Sequence, residues 1–122
     1  MPVNPQRGKT ATGIPQGVRK TTPRVIVIFR AGPAWGSGPP EDQDGWDAHA
    51  EWVDALIDAG TFVMGGPLSD HSGSVSLLEG LSAAEARELI ATDPFVLNGV
   101  FVIDSVRDWT VYVDELSAKE PA

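Results

Sequence analysis

The sequence predicts an α+β fold: a four-stranded antiparallel sheet with two helices on one face, in the order β-α-β-β-α-β. Residues 24–29 and 99–106 are nearly unbroken apolar runs rich in β-branched side chains, the pattern of strands covered on both faces. Residues 46–57 and 83–90 space their apolar positions three and four apart, as one face of a helix does. Between these helical stretches lie short strand-like segments joined through Gly, Pro, Ser and Asp.

Taken in order, residues 1–23 are rich in Pro, Gly, Thr, Gln and Arg without hydrophobic periodicity. They cannot bury enough surface to offset their ordering entropy, so a disordered basic extension is expected. The first strand follows at 24–29. Residues 30–45, "RAGPAWGSGPPEDQDG", make a long loop around Trp35, a length that within a compact domain is functional or flexible. A helix then runs from about residue 45 to Gly60, with Asp44 and Asp47 matching its N-terminal dipole and Gly60 suited to the position after its end. Its apolar stripe is Trp46, Ala50, Val53, Leu56 and Ile57, and His49 falls on that stripe.

Residues 61–64 form the second strand, ending in "GGPLSDHSG". Gly65 and Gly66 are expected to bring the backbone close to the facing helix, and Pro67 to set the direction of the turn. Residues 74–79 alternate Val75 and Leu77 against Ser74 and Ser76, a third strand that is half exposed. Ser82-Ala83-Ala84-Glu85 matches a capping box opening the second helix, which buries Ala83, Ala86, Leu89 and Ile90. Asp93-Pro94 ends it, because a residue before proline is steered out of the helical region. The fourth strand is 99–106, with 109–113 extending it or crossing to a neighbour. A domain at 24–116 and a tail at 117–122 follow from this reading.

This order is the ferredoxin-like split βαβ arrangement. Its helices cover one face of the sheet, yet the outer runs are apolar on both sides. A second sheet over the open face, most economically that of an identical chain, resolves the conflict and makes a homodimer the expectation.

Composition narrows the function. The 122 residues suit one domain, and no apolar run reaches the roughly 18 residues of a membrane span. There is no cysteine, and the N-terminal stretch lacks an apolar leader core, so a cytoplasmic location is expected. The net charge of −8 is uneven: residues 1–24 hold five bases and no acid, and the remainder holds four bases against seventeen acids, a net of −13. Such a body repels phosphate backbones, and no nucleic-acid partner is expected. Two histidines and scattered carboxylates show no metal-ligand spacing, so no metal site is expected.

Trp46-Asp47-Ala48-His49, Leu56-Ile57-Asp58-Ala59-Gly60, Gly66-Pro67-Leu68, Ser82-Ala83-Ala84-Glu85-Ala86 and Asp93-Pro94-Phe95 occur in a fixed order and rhythm. In that order the chain resembles the YCII-related (YciI-like) family of dimeric α+β barrel proteins, over roughly residues 24–113. The resemblance implies a cleft between sheet and helices and an active-site pair of a histidine and an aspartate. The histidine corresponds to His49 and the aspartate to Asp93, with Asp70 in the loop after Gly66-Pro67 as a second choice. Some relatives dehydrochlorinate hydroxylated aromatics, and others in the wider superfamily are lactone isomerases or cofactor-free monooxygenases. Many relatives carry an arginine three residues before the histidine, where this chain has Trp46.

The resulting expectation is a small cofactor-free enzyme acting on a small hydroxylated cyclic or aromatic compound by proton abstraction, then elimination or isomerisation. An imidazole serves as base or acid near neutrality. His49 would move the proton, and Asp93 or Asp70 would orient it. Trp46, Gly66, Pro67 and Phe95 would contact the substrate, with Trp35 a further choice for the apolar wall. The alternative is a non-catalytic ligand-binding or accessory module using the same cleft, favoured if the histidine faces no second polar group.

Overall fold

The computed structural model describes residues 15–116. Four strands, β1 (Thr22–Ala31), β2 (Phe62–Pro67), β3 (Gly73–Leu78) and β4 (Phe101–Val111), form one antiparallel sheet in the order β2-β3-β1-β4. Three helices, α1 (Trp46–Asp58), α2 (Ala83–Ile90) and α3 (Pro94–Leu97), complete the ferredoxin-like α+β arrangement, with a 3-10 turn at Pro40–Asp42. By internal contacts the chain divides into a body at Arg24–Trp109 and a smaller unit to which residues 15–23 and 110–116 belong.

In the body, β1 alternates. Val25, Val27 and Phe29 are buried, while Ile26 and Ile28 on the other side of the strand are half-buried. Val25, Val27, Phe29, Leu78 and Phe101 meet Ala86, Ile90, Phe95 and Val100 in a single core, where each buried large apolar side chain stabilises the fold by ~1.5–3 kcal/mol. Register decides what else joins this face. Val27 stands opposite Ser76 and Phe29 opposite Ser74, so both serines share the core side of the sheet and are buried. Val75 and Leu77, on the side expected to be covered, are only half-buried. Val75 and Leu77 of β3 thus point away from the helices, while Ser74 and Ser76 point toward them together with Leu78.

Local chemistry sets the helix ends. The Thr61 N–H donates to Leu56 O (2.9 Å) and the Gly60 N–H to Ile57 O (3.0 Å), a pair of bonds that closes α1 with Gly60 at φ 76°. The capping box of α2 is formed: the Glu85 N–H donates to Ser82 Oγ, and the Ser82 N–H to Glu85 Oε1.

Three expectations change. Gly65-Gly66-Pro67 lies inside β2 rather than in a loop, which an edge strand tolerates because the proline needs no ladder partner on its outer side. Asp93-Pro94 ends α2 but also starts α3, with Asp93 as N-cap and Pro94 at a first-turn position that suits its missing N–H. β1 begins at Thr22, ahead of the expected start. In the smaller unit the Arg19 N–H donates to Tyr112 O (2.8 Å), backbone pairing that requires no apolar pattern. Residues 109–111 extend β4. The expected disorder of residues 1–14 and the tail at 117–122 lie outside the described residues.

Candidate functional site

Between α1 and the core side of the sheet opens a cleft of about 370 Å³, within the size range of small-ligand sites. Phe29, Phe62 and Phe101 line it from the strands, and Trp46 and Trp52 from α1. Its polar lining includes His49, Asp93, Ser74 and Ser76.

His49 reaches the cleft because the stripe of α1 carries it one turn after Trp46. Its side chain is 12% exposed, and Nδ1 lies 2.8 Å from Oδ1 of Asp93, which is 1% exposed. The same Oδ1 accepts the Phe95 N–H at 2.9 Å. With Oδ1 accepting, Nδ1 carries the hydrogen and Nε2 is left for the cleft. The Phe95 ring stacks on the imidazole at 4.1 Å and 9°, holding its plane, and Phe101 meets it edge-on at 5.6 Å. Helix, cap and aromatic stack therefore all orient one imidazole.

Asp93 does more than a cap requires. Its Oδ2 is buried without a hydrogen-bond partner, a cost of ~1–3 kcal/mol. Serine would cap α3 without that cost. An unpartnered carboxylate oxygen thus sits beside the cleft-facing imidazole.

Sequence-based expectations fare unevenly here. His49 and Asp93 come together, and Trp46, Gly66 and Pro67 line the cleft. Asp70 lies outside the cleft lining. It is exposed and accepts the Ser72 hydroxyl (2.6 Å) and N–H (2.9 Å), which together hold its carboxyl below the usual aspartate value. Beside it, His71 sits at φ 60°, in the left-handed region. Phe95 is fully buried behind the imidazole instead of facing the cleft, because α3 turns it inward. Trp35 stacks on Phe101 at 5.7 Å, outside the cleft lining. Among the described residues no three His, Cys, Asp or Glu side chains gather as a metal-holding group.

Several site residues were not anticipated. Ser74 donates to Gly66 O (2.9 Å), fastening the edge strand. Ser76 stands where Gly65 leaves room: a Cβ on Gly65 would lie 3.1 Å from Ser76 Oγ and 2.5 Å from the Phe62 ring. The loop before α1 is ordered by buried Gln43, whose Oε1 accepts the Gly36 N–H (2.6 Å) and whose Nε2 faces the Ser37, Gly38 and Pro39 carbonyls. That arrangement sets Pro40 and Glu41 in the cleft lining. The alternation of β3 was visible in sequence, but which side faced the helices was not.

An α+β domain of ferredoxin-like form, with a histidine–aspartate pair in an aromatic cleft between helix and sheet, is the class of protein described so far. The chain belongs to the YCII-related domain family, whose profile matches residues 23–110. Among solved structures it is similar to the 5-chloro-2-hydroxyhydroquinone dehydrochlorinase of Burkholderia phenoliruptrix, determined in complex with 2,5-dihydroxybenzoquinone. That likeness has 24% identity and a TM-score of 0.52, covering 70% of this chain and 92% of the other, and it speaks for the fold. No curated protein matches the chain at a significant level.

Proposed function

We propose that this protein is an enzyme in which His49 moves a proton on a small hydroxylated cyclic or aromatic compound. The observation that carries the reading is the 2.8 Å contact of His49 Nδ1 with buried Asp93 in the wall of an open cleft. Nε2 takes a proton from the substrate, and the electron pair of the broken bond stays on the ring. The pair then expels a leaving group from the neighbouring carbon, or is reprotonated elsewhere, giving elimination or isomerisation. Asp93 keeps the imidazole in one tautomer and offsets the charge of the imidazolium that forms. Ser76 supplies a hydroxyl from the opposite, sheet side of the cleft to hold a substrate oxygen. That second polar group favours catalysis over a purely ligand-binding module.

No cofactor enters this scheme. The name of the dehydrochlorinase neighbour supports a ring compound and an elimination as the first chemistry to try. We also propose that a second copy of the chain covers the sheet face bearing Ile26, Ile28, Val75 and Leu77.

The test is turnover of a panel of catechols, chlorinated hydroxyquinols and lactones, followed by absorbance and by halide release. At least one compound should turn over, and His49→Ala should abolish it while leaving the folded protein intact. Binding without turnover across the panel would instead support the ligand-binding module.

A further inference from the structure

The charges around the cleft define a class of ligand more narrowly than its shape does. Glu41, on the 3-10 turn, and Asp54, on α1, both line it, and Asp93 adds a carboxyl deeper in. No Lys or Arg lines it among the described residues. Beyond the first 24 residues the chain carries −13, so the long-range field has the same sign as the cleft. The aromatic walls act in the same direction, because ring faces attract cations and repel anions.

We propose that Glu41 and Asp54 form a charge filter, so that the cleft admits hydroxylated rings that are neutral or cationic and rejects those bearing a carboxylate or phenolate. This rests on the reading of the cleft as a site for ring compounds. It adds that the substrate arrives protonated and that its anion forms only after binding, when Nε2 of His49 has taken the proton. The position of Glu41 is not incidental. Gln43 ties down the loop at Gly36 to Pro39, and the turn that follows presents the carboxylate.

Three ligands built on one dihydroxybenzene ring test the filter: hydroquinone, 2,5-dihydroxybenzoate and 2-(aminomethyl)hydroquinone. Binding is read from the indole N–H signals of Trp46 and Trp52 by NMR at ~10 mM and ~150 mM salt, where screening lengths differ about fourfold. At low salt the benzoate should bind ~tenfold or more weakly than hydroquinone, and the aminomethyl compound at least as tightly as hydroquinone. The gap should narrow at high salt. In the Glu41→Gln/Asp54→Asn double variant the hydroquinone-to-benzoate affinity ratio should fall several-fold. Equal or tighter binding of the benzoate at low salt overturns the filter and leaves the ring-compound reading standing. If none of the three moves either indole signal, the ring-compound reading itself fails and the filter falls with it.

Discussion

His49 and Asp93 meet through a single carboxylate oxygen, the one that also accepts the Phe95 N–H. The cap of α3 and the orientation of the imidazole are therefore one structural fact, and Asp93 substitutions can separate its two consequences. Asp93→Asn keeps an oxygen for the Phe95 N–H and exchanges one unpartnered buried group, Oδ2, for another, the amide nitrogen, so a change of only ~1 kcal/mol or less is expected by thermal unfolding. Asp93→Ser should also fold, since it preserves the cap. Both should lower turnover of an active panel compound by ~10²-fold or more, because neither offsets an imidazolium. Undiminished turnover in Asp93→Asn would remove Asp93 from the mechanism.

Glycines along the site should differ sharply. A Cβ on Gly73 would lie 2.0 Å from Phe29 O, a backbone atom that cannot swing away, whereas a Cβ on Gly66 meets nothing within 4 Å. Gly73→Ala should cost ~2 kcal/mol or more and Gly66→Ala under ~0.5 kcal/mol in denaturant unfolding. Gly65→Val is the functional case. It presses on the Phe62 ring and Ser76, so ligand binding should weaken by more than its effect on stability. Equal sensitivity of Gly66 and Gly73 would contradict the strand register described.

Gln43 is the fastener of the loop between β1 and α1. Gln43→Leu fills similar space but removes the amide bonds to residues 36–39, and a loss of ~1–2 kcal/mol is expected. Hydrogen exchange at the Gly36 N–H should accelerate with it. A protected Gly36 in the variant would show that the loop is held by something else.

On the acid side, the Ser72 hydroxyl and N–H lower the Asp70 carboxyl, and the Ser82 N–H and hydroxyl lower that of Glu85. A lowered folded value means each contribution is fully present above the ordinary carboxylate range and is lost as pH falls through the folded value. Ser72→Ala should raise the Asp70 titration toward its ordinary position in carboxyl NMR and remove its part of the acid-limb dependence. It should leave the pH dependence of turnover unchanged, since Asp70 is not part of the cleft lining. A shifted rate profile would return Asp70 to the site.

The face bearing Ile26, Ile28, Val75 and Leu77 should be buried between two copies of the chain. Light scattering at micromolar concentration should give the mass of a dimer, and Leu77→Lys should yield monomer or insoluble protein. A monomeric mass for the unaltered chain rules out this dimer.

By itself the sequence determined the order of the four strands and the two longer helices, the ends of α1 and α2, and the position of His49 on the inward stripe of its helix. These are local: helical and strand periods, Gly60 after a helix, and Ser82 three residues before Glu85 act within a few residues of chain. It also brought forward Asp93, as the partner of His49 through the family resemblance and as a helix stop from its own residues, because Asp-Pro is compatible with both an end and a beginning and only the following turn shows that it is both. Tertiary structure alone decided which side of β3 faces the helices. Pairing of Val27 with Ser76 and Phe29 with Ser74 comes from strands nearly fifty residues apart, and a slip of one residue would have sent both serines outward. It likewise decided that Asp93 and not Asp70 meets His49, since a pair 44 residues apart is set by how α1 and α3 pack, while Asp70 is satisfied two residues along its own turn. Charge was legible as a total, but its gathering around the cleft was not, because Glu41 and Asp54 become neighbours of one space only when the loop and α1 fold over the sheet.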